Sequence, residues 1–534
     1  MRKFGFMSPL VFAILPFACG FYIDGCPLYG CRPSGTFAYQ LNVPTNASVA
    51  WVSNFFVGPL PKGQGCVGNL ENLVCQSNGP GPMDVGYVAI DADGGYQLWR
   101  NGFLRFPTLP VMDSNGDVFG TDGMSLTLND ADGHLEPVIY LKPTLRPVYN
   151  MEIADDDFLL IVSEQGDIAV WQTDGIPVSS IYLRGTEQRI NGTFKPIATP
   201  AVNGSRAYIM TQFTPDAGQE VKPSILEMRR LYAIDIYDRM VEQLTIAWYF
   251  NFERLNQEVG QTDEGLKFSL KSKEKRREIT VEDDSMDPKL LYDYETGTVF
   301  VSLPPPTESA SDRNESQSTD SFWGIKDTGY GADLVFMKFM SISSIAKYEA
   351  NDDRSEKLYF HGHMRNSRNE PKPSVSKGYL WAVAPGGVIY GFNPANGEMA
   401  KAINITDALK VVAVTITSKL MVARRNDTSS DILLFGIRVS ETTQDFREFI
   451  VSIGVSDLST LNFLVAYDTS TSVDKVIWMI PTPQNTEING QIVGIPRSAA
   501  KDYNGANQGH NDQQDLLVAF TQMKGKFSMF FAVH

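Results

Sequence analysis

Asp113, Asn115 and Asp117 place three oxygen-bearing side chains at alternate positions, the spacing in this chain that comes nearest to ligating a metal. The D-x-N-x-D pattern opens some calcium loops, where carboxylate and amide oxygens alternate around a hard cation. The stretch departs from the EF-hand pattern at its two most restrictive positions: Val118 stands where the sharp turn needs glycine, and Met124 where the bidentate glutamate belongs. A polar hairpin turn is the plainer reading and calcium the alternative. Asp130-Ala-Asp132-Gly133 carries similar turn chemistry. His361 and His363 would share one face of a strand, yet no third ligand accompanies them, so a surface loop is expected. There is no Gly-x-Ser-x-Gly elbow, His-Glu-x-x-His helix, Walker loop or Gly-x-Gly-x-x-Gly turn, and no residue is assigned to catalysis.

The second chemically informative set is Cys26, Cys31, Cys66 and Cys75. They follow a leader-like stretch over residues 1–20: Arg2 and Lys3, an apolar run from Phe4 to Phe17, then Ala18-Cys19-Gly20. That is the layout of a secretory signal peptide, and the run is shorter than the ~20 residues needed to span a bilayer. Without the leader, four cysteines remain. An even number in an exported chain implies two disulfides, with three pairings open. Export also gives meaning to six Asn-x-Ser/Thr sequons, at Asn46, Asn191, Asn203, Asn314, Asn404 and Asn426, as N-glycosylation sites on exposed loops. The formal net charge is −16, and −18 once Arg2 and Lys3 are removed. Such a surface repels nucleic acid and anionic lipid head groups. No other segment is apolar enough to cross a membrane.

The elements that would position these residues recur. Ala89-Ile-Asp91-Ala-Asp-Gly-Gly95-Tyr-Gln-Leu-Trp99 reads as a strand, a tight Asp/Gly turn and a second strand carrying a tryptophan. Copies stand at Val118–Gly133, Phe158–Gly175, Leu231–Asp238, Gly378–Gly397 and Ala466–Trp478, with fainter ones near Phe336–Ile345 and Leu433–Glu441. Alternating residues such as Val388, Tyr390 and Phe392 suit strands with two distinct faces. A single sheet cannot bury both faces, whereas sheets ringed around an axis bury each other's.

The Ala-x-Asp-x-x-x-Gly-x-x-x-Trp pattern at Ala89–Trp99 resembles the tryptophan-docking repeat of the quinoprotein (PQQ-dependent) alcohol dehydrogenase-like β-propellers. Gly94 stands where that family usually has threonine. The resemblance implies that Trp99, with Gly95 and Asp91 shaping its turn, docks one blade on the next. It implies the scaffold only. The enzymes of the family often carry an adjacent cysteine pair beneath the quinone, which this chain lacks, and no residue here maps by motif onto their catalytic aspartate or cation ligands.

The expected fold is therefore all-β, a single propeller of seven or eight four-stranded blades, with eight favoured. The expected organisation is a leader over 1–20, a cysteine-containing N-terminal segment over 21–80 that joins the propeller, and the propeller itself over 81–534. Polar insertions fall at about 254–290, 304–325 and 350–377. Leu516–Thr521 and Phe527–Val533 are expected to complete a blade with an N-terminal strand near Thr36–Val43. The expected function is a secreted, N-glycosylated, non-catalytic binding or structural module for an extracellular protein or glycan. The alternative is a quinone- or metal-dependent oxidoreductase with its site in the propeller channel. No cofactor is expected beyond the calcium candidate.

Overall fold

Within Val85–Asp91, the side chains of Val88 and Ile90 join one apolar cluster while those of Tyr87 and Ala89 join another. A strand buried on both faces needs a sheet on each side of it, and here every blade lies between two others. The computed structural model describes residues 25–534 except 40, 42, 54, 56–64, 79–80, 106, 114–115, 136–138, 155–157, 174, 220–227, 237–242, 253–288, 305–319, 349–377, 425–429, 453–460, 471–474, 497–514 and 524–526. Its strands build eight sheets, each an antiparallel blade, arranged as an eight-bladed β-propeller, with one short strand added in parallel at the inner edge of blade 7. The leader-like residues 1–20 and His361, His363, Asn314 and Asn426 lie outside the described residues. So does most of each long polar insertion.

Blade 1 runs Cys66–Asn69, Asn72–Asn78, Val85–Asp91 and Gln97–Asn101 from the axis outward. The same order of inner, second, third and outer strand repeats around the ring. Blade 2 opens at Val111–Met112, blade 3 at Val148–Ala154, blade 5 at Lys289–Asp293 and blade 6 at Ser344–Lys347. In blades 4, 7 and 8 the inner edge is made by two short strands in series: Ile190–Pro196 with Ala201–Asn203, Val411–Ile416 with Met421–Arg424, and Glu487–Ile488 with Val493–Ile495.

The core is radial. Seven apolar clusters fill the spaces between neighbouring blades, and the largest joins blades 7, 8 and 1. In seven blades the pairing of third and outer strand slips by one residue. A bulge of this kind sharpens the twist and re-aims the next side chain. In six of them that side chain is Trp51, Trp99, Trp248, Phe336, Lys401 or Trp478, each opposite an alanine or glycine: Ala532, Ala89, Ala233, Gly324, Gly391 and Ala466. The small partner leaves the large one to reach the adjoining blade. Trp99 lies over Gly133, where a Cβ would fall 2.4 Å from the indole, and its Nε1 donates to the Ala131 carbonyl at 3.3 Å. Gly133 has φ +84°, a conformation glycine adopts without strain.

Ring closure differs from the expectation. The C-terminal strands, Leu516–Met523 and Phe527–Val533, do form blade 8. The N-terminal strand that completes it is Val49–Val52, paired with Phe527–Val533, and not a strand near Thr36–Val43. The residues expected there have gone elsewhere: Ala38–Tyr39 pairs in parallel with Met421–Arg424 at the inner edge of blade 7. Burial decides between the two segments. Phe37, Ala38, Tyr39, Leu41 and Val43 are all buried, as an axial location demands, whereas Val49 and Val52 are exposed on either side of buried Trp51, as an outer edge allows.

Candidate functional site

The axis of a propeller is where its inner strands turn their edges toward one another, and so where convergent chemistry would be sought. In this chain residues 25–39, with Leu41 and Val43, occupy it, and they pass the blades in order. Gly25 and Cys26 pair with Asn69 and Gly68 of blade 1. The Met112 amide of blade 2 donates to Pro27 O at 2.8 Å, and Leu28 packs with Val111, Val148 and Met151 of blades 2 and 3. Amides of Val202, Tyr292, Lys347 and Val422, from blades 4, 5, 6 and 7, donate to the carbonyls of Pro33, Ser34, Thr36 and Phe37 at 2.6, 2.9, 3.0 and 2.9 Å. Leu41 and Tyr39 then abut Gly494 of blade 8.

The sequence fits this course. Pro27 and Pro33 accept through their carbonyls and bring no N–H that would need a partner inside the protein. The Cys26–Cys31 disulfide closes the tight turn at the start of the segment, and Cys66–Cys75 joins the first two strands of blade 1 beside it. Gly30, at φ +74°, packs so closely on Gly35 that a Cβ would sit 2.7 Å from its Cα. Gln491, 1% exposed, holds the turn from blade 8: its Oε1 accepts from Gly30 N at 3.0 Å, and its Nε2 donates to Cys66 O at 2.6 Å.

Two inner-strand groups near the axis, Lys347 and Asp293, are committed to each other. Lys347 Nζ donates to Asp293 Oδ1 at 2.6 Å and to Glu295 Oε2 at 2.9 Å, and both Lys347 and Asp293 are wholly buried. An ammonium held by two carboxylates is a structural cation and not a poised nucleophile. Glu152, on the inner strand of blade 3, is 1% exposed, and its Oε2 has no hydrogen-bond partner. Burial pushes its carboxyl well above the ordinary range, toward the neutral form. Between blades 4 and 5, Asp327 accepts from Arg206, Tyr208, Trp248 and the Gly329 amide. Burial would raise the Asp327 pKa, but these donors outweigh it and hold the carboxyl below its usual value. A shallow depression of about 200 Å³ between blades 5 and 6 is lined by Glu295, Thr296, Thr298, Lys326, Val335 and Ala395. Thr296 Oγ1 is already bound to Asp293, and Glu295 to Lys347.

Asp113 and Asp117 close the hairpin between the first two strands of blade 2. The Asp117 amide donates to Asp113 Oδ1 at 2.9 Å, and the Asp113 amide to Asp117 O at 3.0 Å. Asn115 lies outside the described residues. Among the described residues, no group of three or more His, Cys, Asp or Glu is placed to hold a metal. Asp91 Oδ1 accepts from Gly94 N at 2.6 Å, and Gly95 lies beneath Trp51. Asn46, Asn191 and Asn404 are exposed and Asn203 is partly so. Gln491, Glu152, Lys347 and Asp293 carried no motif. Asp327 did leave a trace: it ends the third strand of blade 5 as Asp91 ends that of blade 1.

No family model and no curated protein matches the chain. Among solved structures it is similar, as a scaffold, to the quinohemoprotein alcohol dehydrogenase ADHIIG of Pseudomonas putida HK5, with 11% identity, 96% of this chain and 80% of that one covered and a TM-score of 0.43. The quinohemoprotein alcohol dehydrogenase of Comamonas testosteroni aligns with 9% identity, the same coverage and a TM-score of 0.44. BamB of Moraxella catarrhalis aligns with 11% identity over 91% of this chain and 97% of that one, with a TM-score of 0.39. No helix among the described residues is long and apolar enough to cross a membrane.

Proposed function

We propose that this protein is a secreted, N-glycosylated β-propeller that serves as a non-catalytic binding or structural module for an extracellular protein or glycan. One observation carries the reading. The axis, where a channel-borne cofactor would have to lie, is taken by the chain's own residues 25–39, 41 and 43, anchored to seven of the eight blades by backbone hydrogen bonds or by Gln491. Two disulfides suit an oxidising compartment, and exposed Asn46 and Asn191 suit glycan attachment. Recognition would then fall to the loops on the two faces of the ring, which a rigid scaffold presents outward.

The channel oxidoreductase is the competing reading, and it would need that axial volume. The test is direct. Purified full-length protein is assayed for visible absorbance and metal content, then titrated with PQQ in the presence of calcium. Flat absorbance and no saturable binding are expected. A stoichiometric quinone or metal, retained through gel filtration, would overturn the proposal.

A further inference from the structure

Five inner-strand amides, those of Met112, Val202, Tyr292, Lys347 and Val422, come from five different blades and all end on backbone carbonyls of one short segment. Without that segment the ring would present a crown of buried donors pointing at the axis, beside apolar walls now covered by Leu28, Phe37, Tyr39 and Leu41. Donors of this kind read the backbone, not side-chain identity, and apolar pockets add selectivity. This is the division of labour in strand-addition recognition of extended peptides.

The segment is also covalently separable. Its disulfide, Cys26–Cys31, is internal, and Cys66–Cys75 lies wholly in blade 1. Its forward peptide link to the ring runs through Thr45 and Asn46, both exposed, before Val49–Val52 joins blade 8. We infer that the axis is a peptide-binding site, filled in cis by residues 25–39 and able to take an extended, carbonyl-presenting peptide in trans. This holds whether or not the proposed extracellular role is right, because it draws only on the axial packing.

The experiment inserts a specific protease site between Thr45 and Asn46 of the full chain. Before cutting, the insertion protein should melt like the parent. After cutting, the N-terminal fragment should co-elute with the ring on gel filtration. A fluorescent, oxidised peptide spanning residues 25–45 should then exchange into the cut protein at one per ring. The same peptide with Phe37→Ser and Leu41→Ser should bind at least about tenfold more weakly. If the insertion disturbs folding, uncut full-length protein carrying Phe37→Ser and Leu41→Ser serves instead, and it should take up the labelled wild-type peptide. Loss of the fragment from a ring that stays folded, unfolding of the ring on cutting, or no uptake of peptide by either protein would overturn the inference.

Discussion

The indole of Trp51 lies against Gly95 across the junction where the ring closes: a Cβ at position 95 would fall 2.2 Å from Cε3, and Nε1 donates to Ala92 O at 2.9 Å. Trp51 belongs to the strand that completes blade 8, and Gly95 to the turn of blade 1. The contact repeats that of Trp99 on Gly133, so the first and last blades meet as any other pair does. Trp51 is 8% exposed, and Trp51→Ala should cost roughly 3–5 kcal/mol. Trp99 is only partly buried, so Trp99→Ala should cost less, about 2–3 kcal/mol. Thermal melts will show whether this order holds. Hydrogen exchange in Trp51→Ala should rise first in blades 8 and 1, and an unchanged pattern there would refute the closure role.

Glu152 sets a pH dependence of one sign. Burial raises its folded pKa above that of the unfolded chain. Above the ordinary carboxylate range the unfolded state has released a proton that the folded state keeps, so stability falls as pH rises through that window. Its contribution is complete only below the unfolded value. The slope for one proton is about 1.4 kcal/mol per pH unit. Glu152→Gln, a neutral mimic of the protonated acid, should flatten denaturant midpoints between about pH 5 and pH 8. A parallel pair of wild-type and variant curves would show that Glu152 ionises freely.

Asp327 works the other way. Its lowered pKa gives stability that is present above the ordinary carboxylate value and is lost as pH falls through the folded one. Asp327→Asn keeps the shape but leaves Arg206 with Asp235 as its one remaining carboxylate, beside the Gly329 carbonyl, and weakens the acceptors for Tyr208 and Trp248. The cost should be about 3 kcal/mol near neutral pH, shrinking toward acid. Urea titrations at pH 7 and pH 3 would measure both arms.

Gln491 bridges the axial turn to blades 8 and 1, and its removal should loosen that turn specifically. Gln491→Leu leaves the Gly30 amide and Cys66 carbonyl without their partner inside the protein, a loss of about 2 kcal/mol. The sharper readout is access to Cys26–Cys31. In native buffer the variant should be reduced by mild thiol well before wild type, while Cys66–Cys75, held between two paired strands, should not change rank.

The blades that were legible repeat the same local chemistry. An Asp or Asn followed by glycine makes the turn, and an alanine opposite a tryptophan marks the docking strand, as at Ala89 and Trp99. The axial segment was not legible. Phe37, Tyr39, Leu41 and Val43 alternate with other residues in the same way whether they lie on an outer blade edge or along the axis, and periodicity records burial without recording against what. Trp51 held the missing clue: it is a docking tryptophan with no turn of its own before it, because the strand it pairs with, Phe527–Val533, lies far away in the sequence. The commitments of Gln491 and Lys347 arise from contacts hundreds of residues apart or between blades, which no local pattern encodes.

Asn404 separates exposure from availability among the sequons. Its Oδ1 accepts from Thr406 N at 3.1 Å, capping the helix Ile405–Leu409, and its Nδ2 donates to Asp407 Oδ2 at 2.9 Å. A glycan on Nδ2 would leave one N–H where two stand now and crowd the Asp407 carboxylate, so the cap and the modification compete. Asn191 has no such tie on its nitrogen among the described contacts. Its Oδ1 accepts from Thr186 Oγ1 at 2.6 Å at the end of the Arg184–Glu187 hairpin. Glycopeptide mass spectrometry of the full chain expressed through a eukaryotic secretory pathway should therefore find Asn46 and Asn191 occupied more fully than Asn404. Asp407→Ala, which frees the Asn404 amide, should narrow the difference. Higher occupancy at Asn404 than at Asn191 in the wild-type chain would show that the cap forms too late, or too weakly, to guard it.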